Sequence, residues 1–121
     1  MNLEIIREYC LSLPGASEMI QWETALLFKI GGNEAGKIFA VFSMSETAVN
    51  LLSLKCIEER FVELTEEEGI IQAPHFARGK WICLQKNNRL KVNDLKKLIK
   101  ESYDLVFTGL TKKMQQEIKA I

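Results

Sequence analysis

Apolar and polar positions alternate with two different periods along this chain, and the points where the period changes divide it into elements. Leu3, Ile6, Tyr9, Cys10 and Leu13 recur at helical spacing, so the first segment predicts an amphipathic helix. Asn2 stands where an N-cap belongs and Glu4 falls in the first turn. Pro14-Gly15 then stops the helix.

The period next drops to two. Ala25–Ile30 places Leu26, Phe28 and Ile30 on one face, with Leu27 and Lys29 on the other. Lys37–Phe42 sets Ile38, Ala40 and Phe42 against Phe39 and Val41 in the same way. The intervening Gly31–Gly36 is rich in residues that tolerate positive φ, so a hairpin joins the two strands. Val49–Leu54 reads as a third strand of a meander, and a short, weakly signalled strand is expected near Glu18–Trp22.

From Cys56 the helical period returns. Ile57, Phe61 and Leu64 share a face while Glu58, Glu59, Glu63 and Glu66 point elsewhere, predicting a helix over 56–67 stopped at Gly69. Ile70–Gly79 has no period and reads as irregular. Lys80–Gln85 alternates as a strand, with Trp81 and Cys83 opposite Ile82 and Leu84. After a polar turn at 86–91, Asn93 is expected to cap a long helix through Phe107, with Leu95, Leu98, Ile99, Ser102 and Val106 in one stripe. Gly109 breaks it, and 110–121 forms a last short helix. The pattern predicts an α+β fold of order α-β(3)-α-β-α-α. That order suits a two-layer sandwich, one antiparallel sheet covered on one side by helices.

Composition adds little to this picture, and charge adds more. A chain of 121 residues suits a single domain spanning 1–121, and its apolar runs are far short of the ~20 residues of a membrane span. The amino terminus lacks the basic flank and apolar stretch of a signal peptide. Cys10, Cys56 and Cys83 are widely spaced and form no CxxC pair. They read as buried thiols of a reducing cytoplasm, with no disulfide, metal or cofactor expected. The net charge is zero, yet residues 1–74 carry five basic and twelve acidic side chains, and 75–100 carry eight basic and only Asp94. Such polarity allows a polyanion to be bound locally.

The candidate chemistry follows that charge. His75, Arg78 and Lys80 supply donors between Phe76 and Trp81, and Lys86, Arg89 and Lys91 occupy the next turn as a possible wing tip. Basic residues interleaved with aromatics suit nucleic acid, because phosphates supply affinity and bases supply stacking partners. The structural alternative puts Trp81 in the core and leaves the lysines as a solvated turn. Lys96, Lys97 and Lys100 flank the long helix, where Lys97 can pair with Glu101 instead. An enzyme is not expected. The one histidine would have to meet a cysteine or serine across the fold, no serine sits in a GxSxG elbow, and Gly31-Gly32 does not precede a helix as a phosphate-cradling turn does. The acidic run 58–68 reads as a solvated helix face and not a metal ridge.

Leu11-Ser12-Leu13-Pro14-Gly15 with Glu18, Leu27-Phe28-Lys29-Ile30 with Gly32, Lys37 and Phe39-Ala40, then Leu54-Lys55-Cys56, Pro74-His75, Lys80-Trp81-Ile82 and Ser102-Tyr103-Asp104-Leu105-Val106 together resemble the MmcQ/YjbR family. The resemblance covers nearly the whole chain. It implies a fold similar to type III secretion chaperones and a DNA-binding role through a double-wing motif, and carries over no catalytic residues. Double-stranded DNA is therefore the expected partner, contacted through phosphates by the basic 75–100 region. The alternative is a non-enzymatic protein-interaction module, a chaperone-like adaptor or dimer working through the sheet face.

Overall fold

The computed structural model describes residues 1–32, 36–74, 76 and 80–121. The chain opens with α1 (Leu3–Ser12), where the backbone N–H groups of Glu4 and Ile5 donate to Asn2 Oδ1 at 2.8 and 3.3 Å. This is the expected N-cap. Strands β1 (Ala16–Gln21), β2 (Ala25–Ile30), β3 (Lys37–Ser43) and β4 (Asn50–Lys55) follow, then α2 (Glu58–Thr65). Two further strands, β5 (Ile70–Gln72) and β6 (Trp81–Gln85), precede α3 (Val92–Thr108) and α4 (Lys112–Lys119).

All six strands form one antiparallel sheet in the order β1-β2-β3-β4-β6-β5. The α+β class and the helix-covered sheet are as the pattern predicts; the weakly signalled strand near Glu18–Trp22 forms as β1, and β5 is added. β1 pairs with β2 along its full length, although its residues are half-buried apart from exposed Ile20 and show no apolar alternation. β5 is a three-residue strand that pairs with β6 inside the segment expected to be irregular.

The helix-covered face carries Leu26, Phe28 and Ile30 of β2, Leu52 and Leu54 of β4, and Ile82 and Leu84 of β6. Against them pack Ile6 and Cys10 of α1 and Leu95, Ile99 and Tyr103 of α3. Burying this contiguous apolar set is the main term holding the two layers together. Arg60 bonds both carboxylate oxygens of Glu101, at 2.5 and 2.6 Å, tying α2 to α3. That takes the carboxylate expected to meet Lys97.

One facing assignment is reversed. The register passes from Phe28↔Ala40 to Lys29↔Ile38, so Phe39 is an extra residue, a β-bulge. The bulge turns Phe39 into the helix-side core, edge-on to Tyr103 with centroids 5.4 Å apart. Ile38 moves to the opposite face, among Trp81 and Cys83. One expected cap is displaced. α3 starts at Val92 with Lys91 as its N-cap residue, which leaves Asn93 inside the first turn. Thr111 caps α4, accepting from the N–H of Met114. No helix of the described residues is long and apolar enough to cross a membrane.

Candidate functional site

The turn between β6 and α3 is built by hydrogen bonds, local ones and one to the end of the β3–β4 loop, that leave its basic side chains outside. Lys86 N–H donates to the Val49 carbonyl at 2.8 Å, and Asn88 Nδ2 donates to the Gln85 carbonyl at 2.6 Å. Leu90 N–H in turn donates to Asn88 Oδ1 at 3.1 Å. Gly69 packs beneath the turn at φ +81°, where a β-carbon would lie 2.4 Å from the backbone of Asn88. Only glycine fits there without moving the turn.

Lys86, Arg89 and Lys91 are all exposed on this short stretch. It runs directly into α3, whose N-cap residue Lys91 makes no side-chain capping bond. The first N–H groups of a 17-residue helix and its positive dipole end thus follow directly on three cations, with Asp94 the one carboxylate in the first turn. Arg89 meets Glu68 at 3.2 Å, but both side chains are well exposed, 84% and 57%. An ion pair so open to water contributes little and is readily exchanged.

Lys80 lies elsewhere. It precedes β6 at the end far from the turn, roughly 20 Å along the strand from Lys86 at ~3.3 Å per residue. Its half-buried side chain holds the ammonium 4.8 Å from the centre of the Phe61 ring. His75 and Arg78 lie outside the described residues. Of the six candidate residues, the structure therefore brings Lys86, Arg89 and Lys91 together and separates Lys80 from them. On α3, Lys100 pairs with Asp104 at 2.5 Å, and Lys96 sits 5.5 Å from the Tyr9 ring centre.

A second feature lies on the sheet face away from α1 and α3. Trp81 is only 9% exposed and stacks on Phe76, with centroids 4.2 Å apart and planes 14° from parallel. It belongs to a small cluster with Ala73 and Cys83, distinct from the main core. Beside this cluster runs a trough of about 640 Å³ floored by Leu27, Val41 and Cys83. Phe76 closes one end and Trp22 the other. Trp22 is 77% exposed at the β1–β2 hairpin tip, where it and Glu23 both hold positive φ, 50° and 64°. Three residues, Trp22-Glu23-Thr24, separate the paired Gln21 and Ala25, and hairpin turns favour Asn or Gly where φ is positive. Trp-Glu gives no sequence signal for such a turn, and neither the exposure of this tryptophan nor the trough shows in the apolar alternation of the chain.

The three thiols are buried and form no disulfide. Burial pushes the Cys10 thiol up to about 12 and raises Cys56 and Cys83 as well. These are poor nucleophiles, since the thiolate is the reactive form.

The YjbR family model matches residues 11–105, most of the chain and the whole sheet with α2 and the greater part of α3. The chain belongs to the YjbR family. Among solved structures, this YjbR chain is similar to the Deinococcus radiodurans protein DR2400 at 25% identity and a TM-score of 0.85, with 98% of this chain and 88% of that one covered. A crystal structure of a Pseudomonas syringae protein is 22% identical with a TM-score of 0.71, covering 88% of this chain and 99% of that one. A solution structure from the same organism is 20% identical with a TM-score of 0.63, over 88% and 93% of the two chains. The Pseudomonas likenesses concern the fold alone. No curated protein matches the chain.

Proposed function

We propose that this YjbR-family chain is a non-catalytic, cytoplasmic DNA-binding protein that holds duplex phosphates at the turn between β6 and α3. The observation that carries this reading is the convergence of exposed Lys86, Arg89 and Lys91 on a helix start that lacks a side-chain cap. Backbone N–H groups and a positive dipole end suit a phosphate oxygen, and flexible cations add attraction without base information. Lys80, His75 and Arg78 are secondary in this proposal.

Fluorescence anisotropy with a labelled generic duplex across a salt series tests it. Three neutralised phosphates give a log–log salt slope of about −2.7, and each alanine substitution in the turn lowers it by about 0.9. Absence of binding at low salt would overturn the reading.

A protein-interaction role is favoured by a different observation. Among the described residues β1 sits at the sheet edge, paired with β2 alone, and Ile20 and Trp22 beside that edge are 61% and 77% exposed. An uncovered edge strand is a template for strand addition by a partner or a second copy. Sedimentation of wild type and Ile20→Lys would distinguish a dimer built there from a monomer.

A further inference from the structure

We propose that the trough on the open sheet face is a binding site for a small apolar molecule carrying one anionic group, independent of any DNA contact. Its volume, about 640 Å³, falls within the range of small-molecule sites, roughly 300–1,000 Å³. It is also bounded, which a bare sheet face is not. Phe76, fixed by stacking on Trp81, stands at one end, and Trp22 at the other. The floor is aliphatic and thiol, Leu27, Val41 and Cys83, while Gln21, Thr24, Ser43 and Asn50 lend polar groups near the Trp22 end. Apolar walls with a few polar groups are the usual make-up of a ligand pocket.

Charge selects the anion. Side chains alternate across a sheet, and the register puts Ser17, Met19 and Gln21 of β1 on this face together with Ala25, Leu27 and Lys29 of β2. On β4 and β6 it puts Ser53 and Lys55 beside Trp81, Cys83 and Gln85. These strand residues include two lysines and no carboxylate, since Glu18 turns to the helix side and bonds Arg7. Lys29 already interacts with another group of the protein, so the ligand's charge is assigned to Lys55. Lys55 is the cross-strand partner of Trp81 and stands just beyond the trough's lining, two residues along β4 from Ser53, which lines it.

The strained hairpin tip points the same way. Non-glycine residues at positive φ are costly and persist where the surroundings or a function hold them. Here the strain holds a large, exposed aromatic side chain at the lip of an apolar trough.

The test is an amide-shift titration of the isotope-labelled full chain with naphthalene-2-carboxylate and with its neutral match, naphthalene-2-carboxamide. The expected result is saturable shifts at Leu27, Val41 and Ser53 and at the Trp22 indole for both compounds, with the carboxylate tighter. Lys55→Gln should weaken the carboxylate about threefold, as for a partly exposed ion pair, and leave the carboxamide unchanged. Ser53→Phe, which fills the trough, should weaken both compounds by about tenfold or more. Should that variant fail to fold, Val41→Phe fills the same floor from β3. Shifts confined to residues 86–91, no saturation with either compound, or equal loss of both in Lys55→Gln would each overturn the proposal. Retained binding in Lys86→Ala would separate this site from the DNA-binding turn, and its loss there would overturn their independence.

Discussion

Ser102 Oγ donates a 2.6 Å hydrogen bond to the carbonyl of Phe39, the bulged residue of β3. The same hydroxyl accepts from the N–H of Lys55 at 2.9 Å. Ala40↔Leu54 is the last regular pair between β3 and β4, so position 39 would next face position 55. The serine fills the gap that the bulge opens and satisfies one group from each strand. It is fully buried, and the stripe of α3 therefore carries a polar residue for a structural reason.

Ser102→Ala should then leave a buried carbonyl and a buried N–H without partners. The expected loss is about 1–3 kcal/mol, measured by urea unfolding at neutral pH. A variant as stable as wild type would show that water enters the gap in the hydroxyl's place.

The two tryptophans should behave as opposites. Trp81→Ala removes a buried ring stacked on Phe76 and should cost roughly 3–5 kcal/mol. Trp22→Ala removes an exposed ring and should stay within about 0.5 kcal/mol. Fluorescence gives an independent check. Trp22→Phe should leave blue-shifted emission that acrylamide quenches poorly, and Trp81→Phe should leave red-shifted emission that it quenches well.

Most of the layer arrangement was legible because β2, β4, β6 and α3 each bury a long apolar stripe, and the period of a stripe survives in sequence. The bulge was not, since a single extra residue at Phe39 leaves only an ambiguous alternation of apolar residues. β5 escaped because three residues cannot display a period. Asn93 is the better capping residue by chemistry, yet the hydrogen bonds of Asn88 set the turn so that the helix starts two residues earlier. The basic turn was visible because Lys86, Arg89 and Lys91 are close in sequence. The place of Lys80 depends on Phe61, a contact from another element that local patterning does not encode.

Arg7 and Glu18 give the fold a pH dependence of known sign. The hydrogen bond from Arg7 holds the Glu18 carboxyl below its usual range, against the opposing effect of burial. A carboxyl depressed in the folded state stabilises above its unfolded value, about 4.3. That contribution fades as pH falls through the lower folded value. Glu18→Gln should be less stable than wild type at pH 7, and the gap should narrow toward pH 3. Urea melts at the two pH values check this, and a gap that widens with acid would contradict it.

Gly69 links stability to the proposed DNA site. Its φ of +81° already disfavours other residues, and a β-carbon would collide with the Asn88 backbone. Gly69→Ala should cost more than about 1 kcal/mol and displace the turn that carries Lys86 and Arg89. Duplex affinity and thermal stability should fall together. Full affinity in a destabilised Gly69→Ala protein would place the DNA contact away from this turn.

Glu68 supplies a test in which a mutation improves binding. Its carboxylate lies 3.2 Å from Arg89 and competes with any phosphate for that guanidinium. It also adds negative charge where a polyanion would approach. Both side chains are well exposed, so the pair contributes at most about 1 kcal/mol to the fold. Glu68→Gln should therefore melt close to wild type while binding duplex DNA a few-fold more tightly at low salt. The gain should shrink as salt rises, because screening weakens exposed charges over about 10 Å at 0.1 M. Arg89→Ala should remove the part of the gain that comes from freeing the guanidinium, leaving only the smaller relief of repulsion. Anisotropy titrations of wild type, the two single variants and the double variant give the coupling directly. Equal affinities for Glu68→Gln and wild type at low salt would mean that Arg89 makes no phosphate contact.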